Sequence, residues 1–194
     1  MKTICNDTNN KIEIKKSKFY CYLFKVDNLD EINQKINDLK KIYKDATHYC
    51  FAYILDNVKR YNDDSEPSKT AGMPILNVLE KNELNHILCV VVRYFGGIKL
   101  GAGGLVRAYT KSVVDTLAIT KTKILEESFK IKIEFSYDNS KTINRIIDEN
   151  FIISKTFKTN LEYIIIIPTK KFEIIKDELN NKTIKLEILE KIMY

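Results

Sequence analysis

The chain has 194 residues, of which 44% are hydrophobic and 30% charged, with a net charge of +6. That length allows one or two domains with packed cores. No run approaches the roughly 20 apolar residues of a membrane-spanning helix, and residues 1–7 lack the apolar stretch of a secretory signal, so a membrane protein is not expected and the cytoplasm is the expected compartment.

Residues 11–16 and 19–24 read as two short strands meeting at Lys16-Ser17-Lys18. Residues 28–44 read as a helix, because Leu29, Ile32, Ile36, Leu39 and Tyr43 recur at helical spacing. Asn28 with Glu31 resembles a capping box at its start. Residues 48–55 alternate as a strand, with Tyr49, Phe51 and Tyr53 on one face and His48, Cys50, Ala52 and Ile54 on the other. Residues 57–69 read as a polar loop and 71–80 as a short helix with Pro74 in its first turn. The β-branched run 87–95 suits a strand covered on both faces, and 105–119 is a helix turning Leu105, Ala108, Tyr109, Val113 and Leu117 inward.

Beyond Lys123 no glycine occurs and the pattern changes. Strands are expected at 128–137, 151–159, 161–167 and 183–189, and helices at 140–149 and 169–180. That order, β-α-β-β-α-β, is the order of a ferredoxin-like split βαβ domain. The fold class is therefore α+β with two domains, 1–122 and 128–194.

All six glycines lie between Gly72 and Gly104, and five of them are Gly96, Gly97, Gly101, Gly103 and Gly104. Glycine is costly in entropy, so its concentration implies positive φ or a close backbone approach. A strand, a glycine loop and a helix start can also present free N–H groups to an anion. The loop has no Gly-Lys-Ser/Thr, and Val106 stands where a dinucleotide loop needs its last glycine. What remains is a glycine turn flanked by Arg93, Lys99 and Arg107. It reads either as a phosphate or RNA-backbone site or as a tight strand-to-helix connection.

Asp63, Asp64 and Glu66 place three carboxylates within four positions. They read as Mg²⁺ ligands or general bases, or as a solvated turn that caps the next helix. His48-x-Cys50 and His86-x-x-Cys89 resemble a zinc set in composition only, since residues i and i+3 of a strand diverge. No metal or cofactor is expected. The four cysteines have no CxxC spacing and are expected to stay thiols.

At these residues the chain resembles the YigZ/IMPACT family. The match is carried by Lys16-Ser17-Lys18-Phe19, by 48–53, by 63–76 and by 92–109. The resemblance implies a ribosomal-S5-domain-2-like N-terminal domain and a ferredoxin-like C-terminal domain similar to the last domain of elongation factor G. Eukaryotic relatives regulate translation with an additional RWD domain, for which this chain is too short. Two positions depart from the family pattern, Ser65 and Lys69, each standing where glycine is usual.

The expected function is translation-associated binding of RNA or the ribosome, with no assigned catalysis. Arg93 and Arg107 would hold anions with help from Lys99, and the glycines would offer backbone N–H groups. The carboxylates would orient the arginines or bind a metal. The alternative is an enzyme or binder of nucleotides or phosphorylated metabolites that uses the glycine loop, the acidic loop and Mg²⁺. A third option is a regulator that acts through protein contacts alone.

Overall fold

A computed structural model describes residues Met1–Tyr194 and divides them into two units, Met1–Ile124 and Leu125–Tyr194. Unit 1 contains, in chain order, β1 (Lys2–Ile4), β2 (Thr8–Ile14), β3 (Ser17–Lys25), α1 (Leu29–Ile42), β4 (His48–Leu55), β5 (Val58–Asn62), α2 (Gly72–Lys81), β6 (Ile87–Tyr94), α3 (Ala102–Ala118) and β7 (Thr122–Ile124). Its main sheet has the order β2-β3-β6-β4-β5, with every neighbouring pair antiparallel.

The central strand is the most apolar one. β6 is buried from Ile87 to Arg93, as its β-branched composition anticipates. Leu88, Val90 and Val92 meet Ile32, Ile36 and Leu39 of α1 on one face. On the other face Cys89 and Val91 join Phe19, Cys21, Cys50 and Ala52 beneath Ile75 and Leu79 of α2 and Leu105, Tyr109 and Val113 of α3. The helical stripe of α1 and the alternation of β4 thus each find a partner layer. Asn28 caps α1 as expected, accepting from the Glu31 N–H at 2.9 Å, while Glu31 reaches back to the Asp27 N–H at 2.9 Å.

Two local expectations need correction. Within the segment read as a polar loop, Val58–Asn62 forms an edge strand paired with β4. Only Tyr61 of the five is half-buried and the rest are exposed, so the apolar alternation that marks a half-buried strand is absent. Helix α3 starts at Ala102 rather than Leu105, so Gly103 and Gly104 form its first turn and not a loop. The pair β1–β7, with Lys2 opposite Ile124, left no mark in the sequence because each strand is only three residues long.

Unit 2 contains β8 (Glu127–Phe135), α4 (Ser140–Ile146), β9 (Ile152–Phe157), β10 (Leu161–Pro168), α5 (Thr169–Lys182) and β11 (Lys185–Met193). The sheet order is β11-β8-β10-β9, antiparallel throughout, so β10 lies between β8 and β9. Ile131, Ile133, Phe135, Ile165 and Phe172 are among its fully buried residues. No helix of the chain is long and apolar enough to cross a membrane.

At the far end of β6, His86 ties three segments together. Its Nδ1 lies 3.2 Å from Asp27 and its Nε2 3.1 Å from Asp56, beside the turn between β4 and β5. The bond to Asp27 raises the His86 pKa above its ordinary 6.5, and the same bond lowers that of Asp27. A raised histidine value adds stability that is complete below the unfolded pKa and is lost as pH rises through the folded one. The lowered Asp27 value adds stability that is lost only in acid. Unit 1 should therefore lose thermal stability as pH rises from 6.5 through the higher folded value. Melting curves of His86→Gln should lack that loss, and an unchanged profile in this variant would remove the assignment.

Candidate functional site

The acidic loop between β5 and α2 is folded around its own carboxylates. Asp63 Oδ1 accepts from the N–H groups of Ala71 and Gly72 at 3.0 and 2.8 Å, and Oδ2 from Lys69 N–H at 2.8 Å. Free N–H groups at a helix start favour such an acceptor. Asp64 Oδ2 accepts from the Tyr49 N–H at 2.6 Å. Asp64, Ser65 and Lys69 all adopt positive φ (41°, 67° and 62°), so Ser65 and Lys69 keep backbone geometry that glycine would take freely.

Glu66 is the deepest of the three carboxylates. Its Oε1 accepts from Arg93 Nη1 at 2.5 Å and from the Tyr109 hydroxyl at 2.8 Å. His48 Nε2 stands 3.8 Å from Oε2, while His48 Nδ1 lies 2.8 Å from the Asp64 carbonyl oxygen. The Arg93 and Glu66 side chains are only 5% and 3% exposed. The expectation that Arg93 holds an external anion is thus corrected: its charge is matched internally, and burial closes it to solvent. Arg93 Nη2 also points to Ser17 Oγ at 3.5 Å, and that oxygen accepts from the Gly96 N–H at 3.1 Å.

This arrangement joins the acidic loop to the glycine segment and to the β2–β3 hairpin. Both oxygens of Asp63, Oδ2 of Asp64 and Oε1 of Glu66 accept from internal donors, and no group of three or more His, Cys, Asp or Glu is placed to hold an ion. The His48/Cys50 and His86/Cys89 set does not converge either. His48 is opposite Arg93 at one end of β6, whereas His86 precedes the other end. Cys50 Sγ lies 3.1 Å from the Asp63 carbonyl oxygen and 3.3 Å from the Tyr109 hydroxyl. Burial holds the Cys50 thiol far above its ordinary pKa, so it is not a thiolate nucleophile at neutral pH. Burial also keeps Tyr109 protonated, as does the proximity of Cys50 and Glu66.

The glycines have separate duties. A Cβ on Gly96 would stand 2.0 Å from the Lys16 carbonyl carbon, so the hairpin turn rests directly on this residue. Gly97 and Gly101 take positive φ, 80° and 71°, in open space. A Cβ on Gly104 would meet Leu100 Cβ at 3.0 Å, while Gly103 faces the Arg107 side chain. Lys99 and Arg107 are exposed.

Seating the turn on Gly96 brings together cations that lie far apart in sequence. Lys15 and Lys16, both at positive φ, form the turn itself. Lys15, Arg107 and Lys111 line one groove with Ile14, Leu100, Gly104 and Ala108. Lys16 and Lys18 line a second groove with Tyr20, Tyr43, Tyr94 and Phe95. Neither groove has a carboxylate in its lining. None of these lysines or aromatics was named as a site residue from the sequence, where Lys16-Ser17-Lys18 reads as a strand junction and a family-matching segment and Tyr43 as part of a helical stripe.

Comparisons with known proteins place these segments within one family. The model of the Impact N-terminal domain matches residues 15–117, which include the hairpin, the acidic loop and the glycine segment. IMPACT family member YvyE of Bacillus subtilis is 48% identical over 118 residues, 59% of this chain and 54% of that protein, so the match spans about half the relative's length. An IMPACT family member of Haemophilus influenzae is 34% identical over 178 residues, 88% of this chain and 86% of its own. A crystal structure of a hypothetical protein covers 97% of both chains at 25% identity with a TM-score of 0.63. With its N-terminal half matched by the domain model and most of its length by the Haemophilus protein, the chain belongs to the IMPACT family.

Proposed function

We propose that the chain is a cytoplasmic, translation-associated RNA-binding protein whose unit 1 grips the RNA backbone. The observation that carries this is the seating of the Lys15-Lys16 turn on Gly96, which gathers Lys15, Lys16, Lys18 and Arg107 along two grooves, with Lys111 beside them paired to Asp115 at 2.8 Å. Phosphate binding needs such clustered cations, and the net charge of +6 has the matching sign. Leu100 and Gly104 line the first of these grooves, with Lys99 next to Leu100 in the chain and Gly101 and Gly103 at the start of α3. We read unit 1 as ribosomal-S5-domain-2-like. Unit 2 reads as ferredoxin-like, because a strand order of β11-β8-β10-β9 with two helices is that topology. The translational setting rests on family resemblance. A Mg²⁺-dependent nucleotide site loses support, because its three candidate carboxylates serve internal donors.

Fluorescence anisotropy of a labelled RNA across about 50–200 mM salt tests the reading. Lys99→Gln and Arg107→Gln should each weaken binding and lower the salt slope by about 1, irrespective of RNA sequence. Undetectable binding by the parent, or variants that both behave like it, would overturn the assignment.

A further inference from the structure

The second groove has a composition that phosphate binding does not need. Tyr20, Tyr43 and Tyr94 form a triangle of rings, with centroids 5.2 Å apart for Tyr20–Tyr43, 6.0 Å for Tyr20–Tyr94 and 6.4 Å for Tyr43–Tyr94. The cluster is held firmly. Tyr43 shares a hydrogen bond with the Tyr22 hydroxyl, and its carbonyl accepts from the Tyr49 hydroxyl. Beside it Phe95 is 46% exposed, although its backbone N–H is fixed to Thr47 Oγ1 at 3.0 Å. The Arg93 guanidinium lies over the Phe95 ring, 5.7 Å from its centroid. Phe95, just past the end of the central strand, thus leaves nearly half of its surface open to solvent.

Lysines frame these rings. Lys18 is opposite Tyr94 in the β3–β6 register, Lys16 lies in the adjoining turn, and Lys11 Nζ stands 5.4 Å over the Tyr20 ring. Asp45 bears on Tyr94 from the loop after α1, and Glu13 lies opposite Lys18 in the β2–β3 register, two carboxylates against the three lysines. The groove holds about 280 Å³, just below the roughly 300–1,000 Å³ of small-molecule clefts, so it suits a planar ring rather than a large cofactor. Fixed aromatic faces framed by cations form the platform on which unpaired bases stack while their phosphates are neutralised.

We propose that the groove formed by Tyr20, Tyr43, Tyr94, Phe95, Lys16 and Lys18 stacks unpaired bases, so that the chain selects single-stranded over duplex nucleic acid. This rests on the RNA-binding reading and adds a base-contact site to its backbone grip. Stacking requires a strand whose bases are free to turn outward, which a duplex does not offer.

The test compares three labelled probes of equal length: a single strand, its duplex and an abasic single strand carrying the same phosphates. The parent should bind the base-bearing strand about tenfold more tightly than either of the other two. Phe95→Ala should lose about that factor on the base-bearing strand alone, and Phe95→Tyr should retain it. The chain has no tryptophan, so its emission comes from eleven tyrosines, three of which line the groove, and Tyr94→Phe identifies the groove's share of any quenching. The emission should be quenched by the base-bearing strand and unchanged by the abasic one. Equal binding of the abasic and base-bearing strands would overturn stacking and leave the backbone reading intact. Equal binding of duplex and single strand would overturn the selectivity, and no binding of any probe would overturn both readings.

Discussion

Replacing Glu66 by alanine destabilises unit 1 by about 3–5 kcal/mol, the range for removing one partner of a buried ion pair. The size follows from what remains. Arg93 would keep a buried guanidinium whose Nε already has no partner, with Ser17 Oγ 3.5 Å away as its remaining side-chain hydrogen-bond partner. Tyr109 would lose the acceptor of its 2.8 Å hydrogen bond. The double variant Glu66→Leu with Arg93→Met should recover most of the loss, because it leaves no buried charge unmatched. Urea unfolding of the parent, the single and the double variant decides the matter. A Glu66→Ala loss below about 1 kcal/mol would mean that water reaches the pair.

Gly96→Ala costs about 3 kcal/mol or more, at or beyond the top of the range for overpacking. The added methyl would stand 2.0 Å from the Lys16 carbonyl carbon, 2.2 Å from its oxygen and 2.3 Å from Ser17 N. All three are backbone atoms, so no side chain can rotate away. The hairpin turn must lift, taking with it Ser17 Oγ, which accepts from the Gly96 N–H and faces Arg93. Gly97→Ala, one residue on, is the control. Its φ is 80° but nothing lies within 4 Å, so only the left-handed backbone penalty of about 1–2 kcal/mol applies. Denaturant unfolding should rank the two in that order. RNA binding by the residual folded fraction should fall further for Gly96→Ala, because the lysine turn moves with the clash. Equal losses at both positions would refute the direct seating of the turn.

Much of the architecture was legible because burial leaves a periodic trace. The inward face of β4, the doubly covered β6, the Asn28 cap and the element order of unit 2 all follow from side-chain spacing. β5 left no trace, since an exposed edge strand needs only backbone pairing. The site was legible as segments but not as geometry. Arg93 in an apolar run signals a special role, yet sequence gives the charge and not its destination. The destination is Glu66, 27 residues earlier, and it turns a presumed anion ligand into an internal strut. The lysine turn was missed for a related reason: its meaning arises from what Gly96 allows to sit upon it, a contact across 79 residues between Ser17 and Gly96.

The sheet order of unit 1 also dictates a sequence of events during synthesis. The innermost strand, β6, is the last of the five to leave the ribosome, after both β2–β3 and β4–β5. Without β6, the β2–β3 and β4–β5 pairs would each present an unpaired inner edge. Such edges invite pairing with another chain. Arrival of β6 joins both hairpins at once and places Arg93 beside the waiting Glu66. The same strand thus supplies both the central pairing of the sheet and the partner of its buried Glu66 charge, so an unpaired inner edge and an unmatched carboxylate are removed by one segment.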